Sequence, residues 1–156
     1  MRYKILVLAG VLAFSGCATE PTKAPVCTGS VVKGCQPTVY FDFNSAELNN
    51  EAKQSLDWAS EKLKRWPTKH ITVIGHADQK GTDKVNMHIS EKRADAVRAY
   101  LLHKGIDANK ISIHFKGKSE LICKSPACQD INRRAESKIY TSESDWDALK
   151  RTLSIK

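Results

Sequence analysis

The stretch Ile71-Thr72-Val73-Ile74-Gly75-His76-Ala77-Asp78-Gln79-Lys80-Gly81-Thr82 decides the fold. Its first five residues are apolar and β-branched enough for a central strand. The loop Asp78 to Gly81 follows, and the pattern then changes period. Met87, Ile89, Ala94, Val97, Leu101 and Leu102 supply the apolar face of a helix predicted from Asp83 to His103. Gly105 suits the left-handed position after its end. Beyond it, Ile111-Ser112-Ile113-His114-Phe115 alternates like a half-buried strand. Residues 117 to 132 read as a long loop, and Ala135 to Thr141 as a last strand.

Upstream of the stretch, Thr38-Val39-Tyr40-Phe41-Asp42-Phe43 reads as a first strand. Asn50 is an expected N-cap for a helix from Glu51 to Arg65. Ala52, Leu56, Ala59, Leu63 and Trp66 form its single apolar face, and Pro67 stops it. The order β-α-β-α-β-loop-β predicts an α+β domain over residues 38–141, two main helices packed on a mixed four-stranded sheet. A C-terminal tail, 142–156, carries a short helix from Ser144 to Leu153. Ser144 and Asp147 resemble a capping box, and Trp146, Leu149 and Leu153 share a face. That helix is expected to pack on its own domain, with a docking role as the alternative.

The N-terminus assigns the compartment. Arg2 and Lys4 precede the apolar run Ile5 to Phe14, too short to span a bilayer but fitting a secretory signal. Phe14-Ser15-Gly16-Cys17 resembles a bacterial lipobox, with Phe14 where Leu is usual. The resemblance implies a signal peptide over 1–16 and a lipidated Cys17 carrying a diacylglyceryl thioether and an N-acyl chain. The alternative is ordinary cleavage near Ala18. Each buried lipid CH₂ contributes about 0.8 kcal/mol, so three chains would anchor the protein stably. Ala18, where an Asp would signal inner-membrane retention, implies the outer membrane. Residues 17–37 read as a tether, rich in Pro and Gly, with a reach of at most roughly 65 to 70 Å.

With Cys17 lipidated, Cys27, Cys35, Cys123 and Cys128 remain of five cysteines. Four allow three connectivities, and proximity favours Cys27–Cys35 and Cys123–Cys128 in an oxidising compartment. The alternative for the second pair is two free buried thiols. The spacings do not suit a zinc site.

Net charge is +8. Removing Arg2 and Lys4 with the leader leaves 23 basic against 17 acidic residues, a balance of +6 that favours anionic partners. The basic residues are scattered and no RNA-binding signature accompanies them, which disfavours nucleic acid.

From Val39 to about Tyr140 the chain resembles the OmpA-like peptidoglycan-binding domain family, and within it the peptidoglycan-associated lipoproteins. The pieces that carry this are Val39-Tyr40-Phe41-Asp42, Gly75-His76-Ala77-Asp78-Gln79-Lys80-Gly81-Thr82, Asn86 with Ile89-Ser90-Glu91-Lys92-Arg93-Ala94-Asp95-Ala96-Val97, and Asn132-Arg133-Arg134-Ala135-Glu136. They stand in the family's order and spacing over roughly 100 of 156 residues. The resemblance implies a ligand, the diaminopimelate side chain of an uncrosslinked stem peptide. Its free end is a zwitterion and needs a carboxylate near a guanidinium. Asp78 and Arg93 fit those roles, and charge-assisted hydrogen bonds there contribute about 1.5 to 3 kcal/mol each. The family match adds Asn44, Asn86 and Arg133 around the same pocket.

The expected function is an outer-membrane lipoprotein that binds peptidoglycan non-covalently and tethers the membrane to the wall, with no catalytic residue, cofactor or metal. The loop Cys123-Lys124-Ser125-Pro126-Ala127-Cys128 departs from the usual lipoprotein pattern and is similar to a disulfide loop in some OmpA C-terminal domains. That loop, the short tether and the tail helix leave the protein partner open between Tol-system proteins and an envelope-spanning secretion or conjugation complex. A cell-wall hydrolase is the distant alternative. It would need a third ligand beside His76 and Asp78, with His70, His88, His103 and His114 as candidates, and the spacing favours a structural His76.

Overall fold

A computed structural model describes residues 36–66, 69–140 and Arg151. The lipobox, the Cys27–Cys35 pair and the tail helix lie outside this set, apart from Arg151. The elements are β1 (Thr38–Tyr40), α1 (Asn50–Arg65), β2 (His70–Gly75), α2 (Asp83–His103), β3 (Ile111–Phe115) and β4 (Arg134–Tyr140). The sheet order is β1-β4-β2-β3. β4 runs antiparallel to both β1 and β2, and β3 runs parallel to β2. The expected α+β architecture and the inner position of β2 are thus both present. One apolar cluster joins both helices to the sheet through Val39, Phe41, Leu56, Leu63, Ile71, Val73, Val97, Leu101 and Ala135. Each fully buried leucine or isoleucine contributes about 1.5 to 3 kcal/mol.

Several local expectations need correction. β1 stops at Tyr40 instead of Phe43. Beyond it the backbone carbonyls of Phe41 and Asp42 are taken by arginine side chains, Arg133 Nε at 3.1 Å and Arg93 Nη2 at 3.1 Å, and not by a neighbouring strand. The N-cap of α1 is Asn49 and not Asn50: the Asn49 side chain accepts the Ala52 N–H at 2.8 Å. Either of two adjacent asparagines could cap, and the sequence does not choose between them. Trp66 leaves the helix and is exposed, as are Met87 and Leu102 on α2. β4 begins at Arg134, one residue early. The long loop contains 3-10 helix over Pro126–Asn132, kinked at Cys128. Cys123 and Cys128 are disulfide-bonded, as proximity favoured.

Candidate functional site

The C-terminal end of β2 meets α2 at unusually close range. A Cβ on Gly75 would fall 1.9 Å from the Ser90 carbonyl oxygen, so the contact requires glycine. Ser90 then ties helix to loop, donating to the Met87 carbonyl at 2.8 Å and accepting the Gly117 N–H at 3.0 Å. α2 is capped by Thr82, whose hydroxyl accepts the Val85 N–H at 3.3 Å. Gly81 turns with φ +98°, in the left-handed region that favours glycine.

The inner face of α2 is polar in its first half. Asn86, Ser90 and Arg93 are all buried there. Arg93 is 1% exposed and donates to three backbone carbonyls: Ser45 through Nε (3.0 Å), His76 through Nη1 (2.9 Å) and Asp42 through Nη2 (3.1 Å). Burial lowers its pKa to about 10, with the Asp78 charge pulling it up and the Arg133 charge down. It therefore stays charged at neutral pH. A guanidinium has five N–H donors, so two remain beyond those three bonds.

Asp78 is 6% exposed. Its Oδ1 accepts the Lys80 N–H at 3.0 Å, and its Oδ2 accepts from Arg133 Nη1 at 3.4 Å. A carboxylate offers about four acceptor sites, leaving capacity for a further donor. The arginine bonded to Asp78 is Arg133; the hydrogen bonds of Arg93 go to backbone.

Two adjoining cavities meet at these groups. The first, about 260 Å³, is lined by Phe43, Asn44, Asp78, Lys80, Asn86 and Arg93 among others. The second, about 380 Å³, is lined by Phe43, Asp78, Gln79, Lys80, Pro126, Gln129 and Arg133. Phe43, Asp78 and Lys80 belong to both. Four of the five anticipated residues, Asn44, Asp78, Asn86 and Arg93, thus share one cavity, and Arg133 joins Asp78 in the next. Asn44 adopts φ +53°, a conformation asparagine tolerates better than most residues. The Asn86 amide donates to the Gly81 carbonyl at 3.5 Å.

Sequence reasoning missed Phe43, Lys80 and Gln129. Phe43 is 58% exposed with Lys80 Nζ 4.9 Å from its ring centroid. Its place at the end of an alternating run had assigned it to a strand. Gln129 links the disulfide loop to the cleft: its amide donates to the Cys123 and Ser125 carbonyls, and its oxygen accepts the Gln79 N–H at 3.0 Å. Asn132 braces the same loop through the Ile122 and Cys123 N–H groups.

His76 lies beneath the cleft, 1% exposed. Burial and the Arg134 charge lower its pKa to about 4, against the opposing pull of Glu136 and Glu120. It is a neutral imidazole at physiological pH, 3.7 Å from Glu136, which also binds Arg134. Its carbonyl, not its ring, serves the site.

Together these features define a small α+β binding domain, with a charged cleft where the inner strand runs out beside a polar half-helix. The chain belongs to the OmpA family, whose sequence pattern matches residues 40–135. It is 30% identical over 147 residues to the peptidoglycan-associated lipoprotein of Rhizobium meliloti, covering 84% of each chain. It is 37% identical to outer membrane protein A of Bordetella avium, over 80% of this chain and 65% of that one. The crystal structure of the peptidoglycan-associated lipoprotein from Burkholderia pseudomallei superposes with a TM-score of 0.63 at 30% identity, covering 66% of this chain and 89% of that one.

Proposed function

We propose that the protein is an outer-membrane lipoprotein that binds peptidoglycan through the diaminopimelate of its stem peptides and so ties the membrane to the wall. The observation that carries this reading is the shared cavity of Asp78 and Arg93, two buried opposite charges each with hydrogen-bonding capacity left over. The ammonium of the diaminopimelate end would face Asp78. The adjacent carboxylate would take the two free Arg93 N–H donors, a charge-assisted pair. Asn44 and Asn86 would flank it, and Arg133 would hold Asp78 in place. The two relatives named as peptidoglycan-associated lipoproteins support peptidoglycan as the polymer.

Binding is the reading, since the cleft sets one buried carboxylate, Asp78, among the cations Lys80, Arg93 and Arg133, an arrangement suited to a zwitterion. Affinity for one stem can be modest, because many stems on one polymer act together. Lipidation of Cys17, following the signal peptide over 1–16, would supply the membrane end of the link. The protein partner is proposed to be a Tol-system component. An anchoring role in a secretion or conjugation machine would use the same cleft, and co-purification with a Tol protein or with a secretion-system ring separates the two.

Calorimetric titration with a stem peptide ending in diaminopimelate tests the ligand. We expect binding, and at least tenfold weaker binding of the lysine analogue, which lacks the second carboxylate and so leaves Arg93 unpaired. Equal affinity for the two peptides would remove Arg93 from the site.

A further inference from the structure

At the pole of the sheet opposite the cleft, Trp66 stands 37% exposed just past the end of α1. Cations surround its ring: Lys69 Nζ lies 3.9 Å from the centroid, Lys62 Nζ 4.9 Å and the Arg65 guanidinium carbon 5.8 Å. Lys62 also lies 5.4 Å from the Trp58 ring. Lys64 is paired with Glu61 at 3.7 Å. Basic residues in a last turn answer the helix dipole, which accounts for Lys62, Lys64 and Arg65. It does not account for Lys69, which lies beyond the helix, or for an exposed tryptophan amid the charges.

The topology places this pole where the chain enters the domain. β2 runs from His70 to Gly75, with Tyr140 of β4 opposite His70 and Ala135 opposite Gly75. Asp78 follows Gly75, whereas Trp66 and Lys69 precede His70. β1 runs in the same sense as β2, since both are antiparallel to β4. The chain before it enters beside Ile139, whose N–H donates to the Gln36 side chain at 2.9 Å. The N-terminal segment therefore joins the domain at the Trp66 pole. Six strand residues, roughly 20 Å, separate that pole from the cleft end.

The geometry points to a second binding surface: the pole formed by Trp66, Lys62, Arg65 and Lys69 docks on an anionic phospholipid surface. A tryptophan is suited to headgroup depth, where its body is apolar and its N–H polar. Lysine and arginine beside it gain from the negative surface potential and from lipid phosphates. Where Cys17 anchors the chain as proposed above, the N-terminal tether, at most roughly 65 to 70 Å long, keeps this pole within reach of the lipid. The docking itself does not depend on what the cleft binds.

Vesicle flotation tests this with the chain from Ala18 onward. That chain keeps every described contact, because the apolar cluster runs from Val39 to Ala135. The vesicles are phosphatidylcholine alone, or phosphatidylcholine with phosphatidylglycerol. We expect flotation with the anionic vesicles only, weakening as salt is raised. Each surface cation is worth roughly fivefold in partition, so Lys62→Gln/Lys69→Gln should bind about 25-fold more weakly. Lys53→Gln/Lys84→Gln removes the same charge at the cleft pole, where both residues are exposed. It should change partition by less than about twofold, because the fields of exposed charges are screened within roughly 10 Å. Trp66→Ala should also weaken flotation, and Asp78→Ala should float like the parent, which separates this surface from the cleft. Melting temperatures checked beforehand confirm that the variants are folded. No flotation, equal flotation with neutral vesicles, or equal losses in the two double variants would overturn the proposal. So would binding of this pole to an acidic protein without binding to vesicles.

Discussion

The two halves of α2 lie in one helix and bury one continuous face, yet they bury different chemistry. From Ala94 onward that face is Ala94, Val97 and Leu101, packed into the apolar cluster. Before Ala94 it is Asn86, Ser90 and Arg93, packed against carbonyls, a glycine and a cleft. Burying polar groups costs free energy unless each finds a partner. The first half meets that condition by drawing carbonyl acceptors from the loops after β1 and β2 and the Gly117 N–H from the loop after β3. The difference shows how a small domain can place a charge in its interior and keep it available: the backbone takes three of the guanidinium donors and leaves two.

The largest expected effect lies in the polar half. Arg93→Ala strips a donor from three backbone carbonyls at once and should cost about 4 kcal/mol in chemical denaturation. Arg93→Lys should restore less than half of that, since an ammonium does not reproduce the planar fork. A cost below about 1 kcal/mol would mean that the polar half is not structural. The expectation bears on any binding experiment, because Arg93→Ala then loses ligand partly by unfolding.

In the apolar half, Leu101→Ala should cost about 3 kcal/mol through the cavity it leaves. Ligand affinity per folded molecule should be unchanged. A parallel loss of affinity at temperatures where the variant is folded would show that the two halves are not separable.

A somewhat smaller effect sharpens the boundary beneath the cleft. The unfolded chain binds a proton on His76 near pH 6.5, and the folded chain does so only near pH 4. Between those values the unfolded state binds more protons, so stability falls as pH drops, and above about 6.5 the penalty is absent. The loss should be on the order of 2 to 3 kcal/mol by pH 4, read as a falling denaturation midpoint. His76→Gln should flatten that slope. An unchanged slope would assign it to other groups, Glu136 foremost. Burial opposes the charge on that carboxylate, but Arg134 outweighs it and lowers the pKa, so Glu136 loses stability in the same pH direction.

The contrast within α2 also marks where the sequence was legible. The apolar half of the helix is readable by period, because Ala94, Val97 and Leu101 recur as a core face should. The polar half misleads the same method. Met87 reads as core there and is exposed, while Ser90 and Arg93 are buried; in the apolar half the method overreaches only at Leu102, which is exposed beside the buried Leu101. Periodicity detects apolar burial and has no means of seeing a polar group satisfied by a distant loop. Only the family resemblance marked Arg93, and it did so by motif and not by packing. Phe43 escaped for a related reason: alternation continues past Tyr40, but the ladder ends where Arg93 and Arg133 take the next carbonyls. Trp66 fits the period of α1 but lies one residue past its end, where the backbone is already extended.

Asp78→Asn offers the cleanest separation of fold from binding, because its partners are one N–H and one long arginine contact. It keeps a side-chain oxygen for the Lys80 N–H but removes the counter-charge of Arg133 and Arg93, so it should cost about 1 to 3 kcal/mol, less than Arg93→Ala. The decisive measurement is co-sedimentation of the chain from Ala18 onward with purified sacculi, beside Asp78→Asn at matched folded concentration. The account predicts that the parent chain pellets with the wall and that the folded variant stays in the supernatant. A parent chain that remains soluble, or a variant that pellets equally well, would contradict it.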